Sequence, residues 1–309
     1  MAKSVIPNDE ELEAIILGPD SIVWQRFSDA RIFLGAGAAL LLQVAHPTVG
    51  SGVRDFSNFQ REPWDRLLRT LDYLSLLVYG GAEAGVIGKR LRAAHKTIKG
   101  VNPDGSRYHA LEPEAYAWVH ATLIEAGIRA HKLFVGPLSA AEIEAFYAEY
   151  LPLGRLVGVR EGDLPERWLD FRDYVDTMIA ERLERTETVE TVLKTMRIPA
   201  APPVFPEGLD PLWKLLRVPP SHALRLATYG LLGDSVRARL GMRWNRAAEL
   251  ELGGFGLACR AAGPLLPGVA KLGGPAYLEW RREAIRRGPL GADGPYADAA
   301  TAAVSGAAA

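Results

Sequence analysis

The sequence is poor in cysteine, and this scarcity excludes several kinds of site. Cys259 is the single cysteine among 309 residues. One thiol cannot form an intrachain disulfide, a zinc cluster of cysteines, a CxxCH haem attachment or a thiolate iron–sulfur centre within one chain. Any redox cofactor of this chain must therefore be held by other side chains.

The sequence also lacks a charge excess of either sign and a long apolar run. Its formal net charge is −1, without the basic excess typical of a nucleic-acid binder, so we expect no nucleic-acid partner. The longest apolar run, residues 32–45, is shorter than a bilayer span and contains Gln43. It predicts a buried core helix and no transmembrane segment. The N-terminal residues turn acidic early and show no signal-peptide pattern, so we expect a soluble, cytoplasmic protein.

The spacing of apolar residues along the sequence is mainly helical. The composition, 48% hydrophobic and 24% charged, is that of a folded globular protein. Apolar residues recur at helical spacing, and convincing period-two strands are absent, so we predict an all-α fold. Helices are predicted at residues 9–17, 28–45, 63–79, 82–99, 112–134, 139–150, 165–184, 186–196, 221–231, 235–262 and 275–286.

The chain is predicted to form a single helical domain with a short extension at each end. The proline-rich residues 198–211 separate a main helical body from additional C-terminal helices that pack back on it. The predicted units are an N-terminal extension (1–20), one domain (21–290) with a core (21–197) and a C-terminal helical part (209–290), and a disordered tail (291–309).

Common catalytic motifs are missing from the sequence. It contains no HExxH, no Glu-x-x-His pair of the di-iron bundle type, no GxSxG elbow and no GxxxxGK[ST] loop. The stretch GAGAAL, residues 35–40, superficially resembles a dinucleotide-binding loop, but it lies inside a helical pattern with no strand before it. Close packing between helices explains these glycines better.

His95 lies at the edge of an apolar helical stripe formed by Ile87, Leu91, Ala94 and Ile98. Two interpretations are open at this position. His95 is either a core histidine hydrogen-bonded to a neighbouring backbone carbonyl, or a histidine with one ring nitrogen facing an interior pocket.

The helix predicted at 63–79 presents Arg66 and Thr70 toward an interior or a cleft, because it is apolar nearly all round after Thr70. A guanidinium in such a place needs an anionic partner. The structural interpretation is an ion pair with a carboxylate such as Asp55, and the functional one is a site arginine. The solvent-facing line of this helix is predicted to be Asp65, Arg69 and Asp72.

Four ordered motifs resemble one protein family. They are LLQVAHPTVGSGVRDFSNF (41–59), WDRLLRT (64–70), AAHKTIKGVNPDGSRYHAL (93–111) and WVHATL (118–123). Their order and spacing are similar to those of the bacterial branch of the MpaB and rubber-oxygenase family, to which the latex-clearing proteins belong. The resemblance covers about Ser21 to Tyr150 and, more loosely, the helices to about Met196.

The resemblance implies a globin-like helical core around a haem b that is bound without covalent attachment. His95 matches the family's proximal iron ligand, and Arg66 and Thr70 match the arginine and threonine of an Arg-x-x-Lys-Thr helix beside the haem. Arg69 occupies the family's lysine position. Because arginine stays protonated and cannot ligate iron, a lysine-capped resting state is not expected here.

The function implied is a haem-dependent oxygenase that activates O₂ toward a hydrophobic substrate, isoprenoid or unsaturated. Two alternatives of the same fold are a non-catalytic binder of haem or an apolar ligand, and a relative that has lost haem. His46 is the second candidate for the iron ligand. His109, which lies in a loop, and His120, a candidate partner of the ligand, are weaker ones.

Overall fold

The computed structural model describes residues 15–57, 60–202, 205–206, 208–265 and 273–287. The predicted helix at 9–17 lies mostly outside these residues, and the predicted tail at 291–309 lies wholly outside them.

The described residues form an all-α fold with one small hairpin, which confirms the predicted fold class. The helices of the first half are α1 (Ile22–Phe27), α2 (Ala36–Ala45), α3 (Pro47–Phe56), α4 (Pro63–Tyr79), α5 (Glu83–His95), α6 (Pro113–Ala130), α7 (Ala140–Tyr150) and α8 (Leu153–Val157). Those of the second half are α9 (Trp168–Glu181), α10 (Glu187–Arg197), α11 (Asp210–Leu216), α12 (Val218–Leu231), α13 (Gly233–Arg239), α14 (Arg246–Ala262) and α15 (Gly274–Arg287). A 3₁₀ turn covers Ala30–Gly35, another covers Gly263–Leu265, and a π-helical turn covers His131–Val135.

Several helix ends lie where the local sequence predicts them. Pro63 occupies the first turn of α4, where its missing N–H costs no hydrogen bond, and Gly80 ends the helix. Ser139 and Glu142 form a reciprocal capping box at the start of α7. These residues satisfy backbone groups that a helix end would otherwise leave unpaired.

The predicted helix at 28–45 is divided, and a further helix follows it. Its first part is the 3₁₀ turn, and α3 begins at Pro47, at 103° to the segment Ala30–Ala45. The sequence pattern does not predict α3, because Pro47, Gly50 and Gly52 are typical of a loop. Pro47 instead starts the helix at a position where proline is favoured.

The predicted helix at 82–99 ends early, at His95. Lys99–Val101 then pairs antiparallel with Arg107–His109 in the register Lys99↔His109. The loop between them contains Pro103, Asp104 and Gly105, a sequence typical of a turn, and Gly105 has a φ of +87°. This hairpin packs against α3.

The predicted helix at 235–262 is interrupted. Gly241, with a φ of +62°, follows α13, and the side chain of Asn245 caps the start of α14. A left-handed glycine followed by a new N-cap is a common way to end one helix and begin another.

Helices α2 and α6 cross in the middle of the core. The indole of Trp118 on α6 donates a hydrogen bond of 2.9 Å to the carbonyl of Leu42 on α2. Gly35 lies against Ala126 and Ala130, and Gly37 lies against Thr228, so a side chain at either glycine would collide. The GAGAAL glycines therefore serve close helix packing, as the sequence predicts.

No single helix of the described chain is long and apolar enough to cross a bilayer. The bent pair Ala30–Ala45 and Pro47–Phe56 passes that test by length and composition when the two segments are taken together.

Candidate functional site

Two neighbouring helices, α4 and α5, carry the predicted site residues. A short turn at Gly80–Gly81 connects them, and they pack along each other. On its other side α5 approaches α8 so closely that a Cβ at Gly88 would collide with the backbone carbonyl of Leu156. Close packing on both sides fixes the position of α5, and with it that of His95 at the end of this helix.

The imidazole of His95 is oriented by its own helix. Its Nδ1 lies 2.7 Å from the backbone carbonyl oxygen of Leu91, one turn earlier. Because a carbonyl only accepts hydrogen bonds, Nδ1 must carry the proton, and the lone pair then resides on Nε2. Within the described chain, Nε2 has no hydrogen-bond partner.

The surroundings of His95 favour the neutral imidazole. Burial lowers its pKa below the usual value of 6.5, and the positive charge of Arg66 lowers it further, against the opposing effect of the Leu91 carbonyl. Tyr116 of α6 packs edge-to-face against the ring, with centroids 5.6 Å apart. The hydroxyl of Tyr116 is buried and has no hydrogen-bond partner in the described residues. A neutral, oriented imidazole with a free Nε2 is the form of histidine that binds a metal.

The side chain of Arg66 is exposed to solvent, but protein atoms displace part of the water around its guanidinium. Its side chain is reached by solvent, yet the surrounding protein desolvates the guanidinium and lowers its pKa, with a smaller effect from Arg69. Arg66 therefore lies at the surface of the described fold, and its guanidinium is partly desolvated by the atoms around it. The described residues provide no hydrogen bond or salt bridge for this guanidinium.

The ion pair between Arg66 and Asp55 that the sequence left open does not form. Asp55 instead pairs with Arg54 at 2.7 Å and accepts a 2.6 Å hydrogen bond from Tyr108. These two partners hold the pKa of Asp55 below its ordinary value. Arg66 is therefore left as a cation without a protein counterion among the described residues.

Thr70 lies one turn after Arg66 and is exposed. Its hydroxyl donates a 3.0 Å hydrogen bond to the backbone carbonyl of Arg66, and not to anything beyond its own helix. The oxygen lone pairs of Thr70 remain free to accept a hydrogen bond. Thr70 and the Arg66 side chain thus offer an acceptor and a donor on one stretch of α4.

The predicted solvent line of α4 is only partly correct. Arg69 and Asp65 are half-buried and form a salt bridge of 2.8 Å. Asp72 is fully buried, contrary to the prediction, because α15 covers this part of α4. Arg281 approaches Asp72 at 2.9 Å, and the hydroxyl of Tyr277 donates a 2.8 Å hydrogen bond to it.

Sequence reasoning could not have found the partners of Asp72. More than two hundred positions separate it from Tyr277 and Arg281. The i, i+4 spacing of these two residues on a strongly charged helix is equally typical of an exposed surface.

The other histidines differ from His95 in what holds their nitrogens. His109 accepts a hydrogen bond from the backbone N–H of Leu111 at Nδ1 and lies 3.2 Å from the Lys96 carbonyl at Nε2. His120 is buried, with Nε2 3.3 Å from the carbonyl of Tyr150. Both rings are therefore engaged by the backbone of the fold.

His46 remains the nearest competitor of His95. It is buried at the junction of α2 and α3, and neither ring nitrogen has a hydrogen-bond partner in the described chain. Its Nε2 lies 3.5 Å from a carboxylate oxygen of Glu114, and burial lowers its pKa. His46 faces an acidic residue, whereas His95 faces the cation Arg66.

No cluster of three or more His, Cys, Asp or Glu able to hold a bare metal ion lies among the described residues. A haem would need from the protein a nitrogen ligand for its iron, apolar surroundings and a cation for its carboxylates. His95 would supply the nitrogen and Arg66 the cation, and the ring of Tyr116 would form part of the apolar surroundings, so these residues fit haem.

Comparison with known proteins identifies a family. Residues 24–262 match the family model described as ER-bound oxygenase mpaB/B'/Rubber oxygenase, catalytic domain. No curated protein and no solved structure matches the chain. The family match covers α1 to α14, including every candidate site residue on α4 and α5. The chain therefore belongs to the mpaB/rubber-oxygenase catalytic-domain family.

Proposed function

We propose that this protein is a haem b-dependent oxygenase that activates O₂ toward a hydrophobic, isoprenoid or unsaturated substrate. The family is one of oxygenase catalytic domains, which supports the reaction class. The cofactor and the substrate class rest on the residues of α4 and α5 and on the resemblance of their motifs. The proposed location is the cytoplasm.

The geometry of His95 is the single observation that carries the proposal. Its Nδ1–H is held by the Leu91 carbonyl, so the tautomer is fixed and the lone pair of Nε2 would be available to bind the haem iron. The depressed pKa keeps Nε2 unprotonated near neutral pH. The alternative interpretation of His95 is a core histidine hydrogen-bonded to a backbone carbonyl. The same hydrogen bond would orient the ring for metal binding, so its presence does not argue against the ligand role.

Arg66 and Thr70 have complementary roles in this proposal. The Arg66 guanidinium, which no described residue neutralises, would donate to a haem carboxylate or to an oxygen atom near it. The free lone pairs of Thr70 would accept a hydrogen bond and orient a donor beside it. Arg69 forms a salt bridge with Asp65, and a guanidinium is not an iron ligand, so Arg69 does not compete for the iron.

Bound haem would supply the oxygen chemistry, and the protein would supply access, orientation and polarity. The half-buried imidazole of His95 and the unpaired Tyr116 hydroxyl lie in partly desolvated surroundings, and the charge of Arg66 acts on His95 there. Electrostatic interactions with that charge are stronger there than in water.

The experiment that tests the proposal is purification from haem-sufficient cells. We expect coloured protein with a Soret band and about one haem per chain. A colourless protein that also fails to take up added hemin would contradict the proposal and favour the relative without haem. Haem binding without O₂ consumption on any unsaturated apolar substrate would favour the non-catalytic binder.

A further inference from the structure

Large apolar side chains are exposed around α11. Six of them lie between positions 198 and 218 and are each between 44% and 70% exposed, and α11 itself contains no buried residue. We call this set the α11 patch: Ile198, Leu209, Leu212, Leu215, Leu216 and Val218. Three of the six belong to α11, and the other three lie in the segments before and after it. Scattered exposed leucines are ordinary, but this many in one stretch of chain around a helix without buried residues indicates a contact surface.

The α11 patch is fixed to the body of the protein. The indole of Trp213 donates a 3.0 Å hydrogen bond to the carbonyl of Pro199, and the indole of Trp64 donates one of 3.0 Å to the carbonyl of Ala200. Trp64 belongs to the first turn of α4, two residues before Arg66. The patch therefore lies at the end of α4 that carries the candidate site.

Positive charge borders the α11 patch. Residues 194–218 contain four basic residues, Lys194, Arg197, Lys214 and Arg217, and two acidic ones, Glu207 and Asp210, a net charge of 4 − 2 = +2. The whole chain has a net charge of −1. Lys194, Arg197 and Lys214 are exposed, and each lies within four residues along the chain of an apolar member of the patch. Leucines bordered by lysine, arginine and tryptophan are typical of a surface that enters the lipid headgroup region.

We propose that the α11 patch docks the protein on an anionic lipid bilayer. The leucines enter the boundary between headgroups and acyl chains, and the bordering cations contact the phosphates. A second copy of the chain fits this surface less well, because a two-fold symmetric contact would bring the bordering cations of both copies together. This inference goes beyond the proposed oxygenase function and does not depend on haem.

The test is co-sedimentation of the full chain with lipid vesicles. One vesicle preparation is phosphatidylcholine alone, and the other contains phosphatidylglycerol as well. We expect binding to the anionic vesicles that weakens with added salt, because screening reduces the attraction of the bordering cations. Leu215→Ser combined with Leu216→Ser should reduce the affinity for anionic vesicles at least about tenfold. Lys214→Glu should reduce it on anionic vesicles and leave weak binding to neutral ones unchanged.

The matched control is Leu250→Ser combined with Leu257→Ser, two leucines of α14 that are 69% and 62% exposed. This control should bind vesicles like the wild type. Equal loss in both double variants would overturn the proposal, as would absence of binding to anionic vesicles. A dimer in solution that Leu215→Ser abolishes would also overturn it, in favour of a second copy of the chain. Because vesicle binding is measured without hemin, failure of the haem proposal would leave this result unaffected.

Discussion

At the scale of single residues, Arg66 is a cation without a counterion among the described residues. Its side chain is exposed, but neighbouring atoms partly desolvate the guanidinium and lower its pKa. Partial desolvation of an unpaired charge costs free energy in the protein alone, and an anionic ligand would recover part of that cost. Residues that destabilise the free protein in this way are typical of binding sites.

Replacing Arg66 by alanine should therefore separate the stability of the protein from its affinity for haem. Without hemin, the melting temperature of Arg66→Ala should equal or exceed that of the wild type, because an unpaired desolvated charge is removed. With hemin, the variant should bind about tenfold more weakly or worse, since a charge-assisted hydrogen bond is lost. Thermal melts with and without hemin measure both effects.

Arg69→Ala is the matched control on the same helix. It breaks the salt bridge to Asp65 and should change the melting temperature by the same small amount in both forms. If Arg66→Ala instead lowered the melting temperature equally with and without hemin, Arg66 would be a structural residue and not part of a site.

Thr70→Ala should fold normally and keep haem, because its hydroxyl hydrogen bond goes only to the helix backbone. The change should appear in the spectrum under O₂, where the lost hydroxyl no longer accepts a hydrogen bond. The same spectrum in Thr70→Ala and the wild type, together with the same rate of O₂ consumption, would remove Thr70 from the proposed site.

The position of His95 and its partner could be anticipated only in part. Helical spacing places it at the edge of the apolar stripe, and the Leu91 carbonyl one turn earlier is then within reach of the ring. The spacing cannot say that α5 ends at His95, that Tyr116 packs on the ring, or that Arg66 has no counterion. Those features arise from contacts between helices. The ligand role of His95 stays a prediction.

At the scale of whole elements, the attachment of α15 to α4 is a feature that the sequence pattern does not predict. Asp72 and Arg281 are both fully buried, and the Arg281 guanidinium nitrogen Nε lies 2.9 and 3.0 Å from the two carboxylate oxygens. Burial raises the pKa of Asp72, and the hydrogen bonds from Arg281 and Tyr277 oppose that rise. Helix α15 lies beyond the residues that match the family model, so this contact links an additional helix to the helix that carries the site.

Removing one partner of this pair should be costly, and removing both should be less so. Asp72→Asn or Arg281→Gln should lower the free energy of unfolding by about 3–5 kcal/mol, because each leaves a buried charge unpaired. Asp72→Leu combined with Arg281→Met should recover a large part of that loss. Urea unfolding of the single and double variants measures this coupling. Additive losses would show that the two residues do not act as a pair.

Helices α1, α3, α8 and α11 and the hairpin beyond Lys99 lie outside the predicted helices, and none of these helices or strands is longer than ten residues. Helix α3 also begins with a proline and contains two glycines, and the hairpin strands are three residues each, so they produce no periodic signal. Long helices with clear punctuation, such as α4 and α7, are predictable because their ends are set by local residues. The break at Gly241 also has local causes, the left-handed glycine and the Asn245 cap, but apolar spacing alone does not reveal them, and the end of α5 at His95 has no such signal.

At the scale of the whole molecule, buried histidines make stability sensitive to mild acid. Burial lowers the pKa of four histidines, His46, His95, His120 and His131, and that of His120 falls to about 4. The unfolded chain takes up these protons below about pH 6.5, whereas the folded chain resists them. The free energy of unfolding should therefore have its full value above about pH 6.5 and decrease as the pH is lowered further.

His120 alone should account for about 2 kcal/mol of the loss between about pH 7.5 and about pH 5. His120→Gln should flatten this dependence, even if it lowers stability at neutral pH. Denaturant unfolding across this pH range is the measurement. A wild-type free energy of unfolding that stays constant to about pH 5 would contradict the depressed histidine pKa values.

The most direct test of the proposed haem site is a hemin titration of the wild type beside His95→Ala and His46→Ala. His46 has two ring nitrogens without a hydrogen bond and His95 has one, Nε2, but only His95 has its tautomer fixed by a carbonyl and its pKa lowered by the charge of Arg66. The expected result is about one hemin per chain with the same Soret spectrum for the wild type and His46→Ala, and loss of hemin or an altered spectrum for His95→Ala. Loss of hemin in His46→Ala with an unchanged wild-type spectrum in His95→Ala would contradict it.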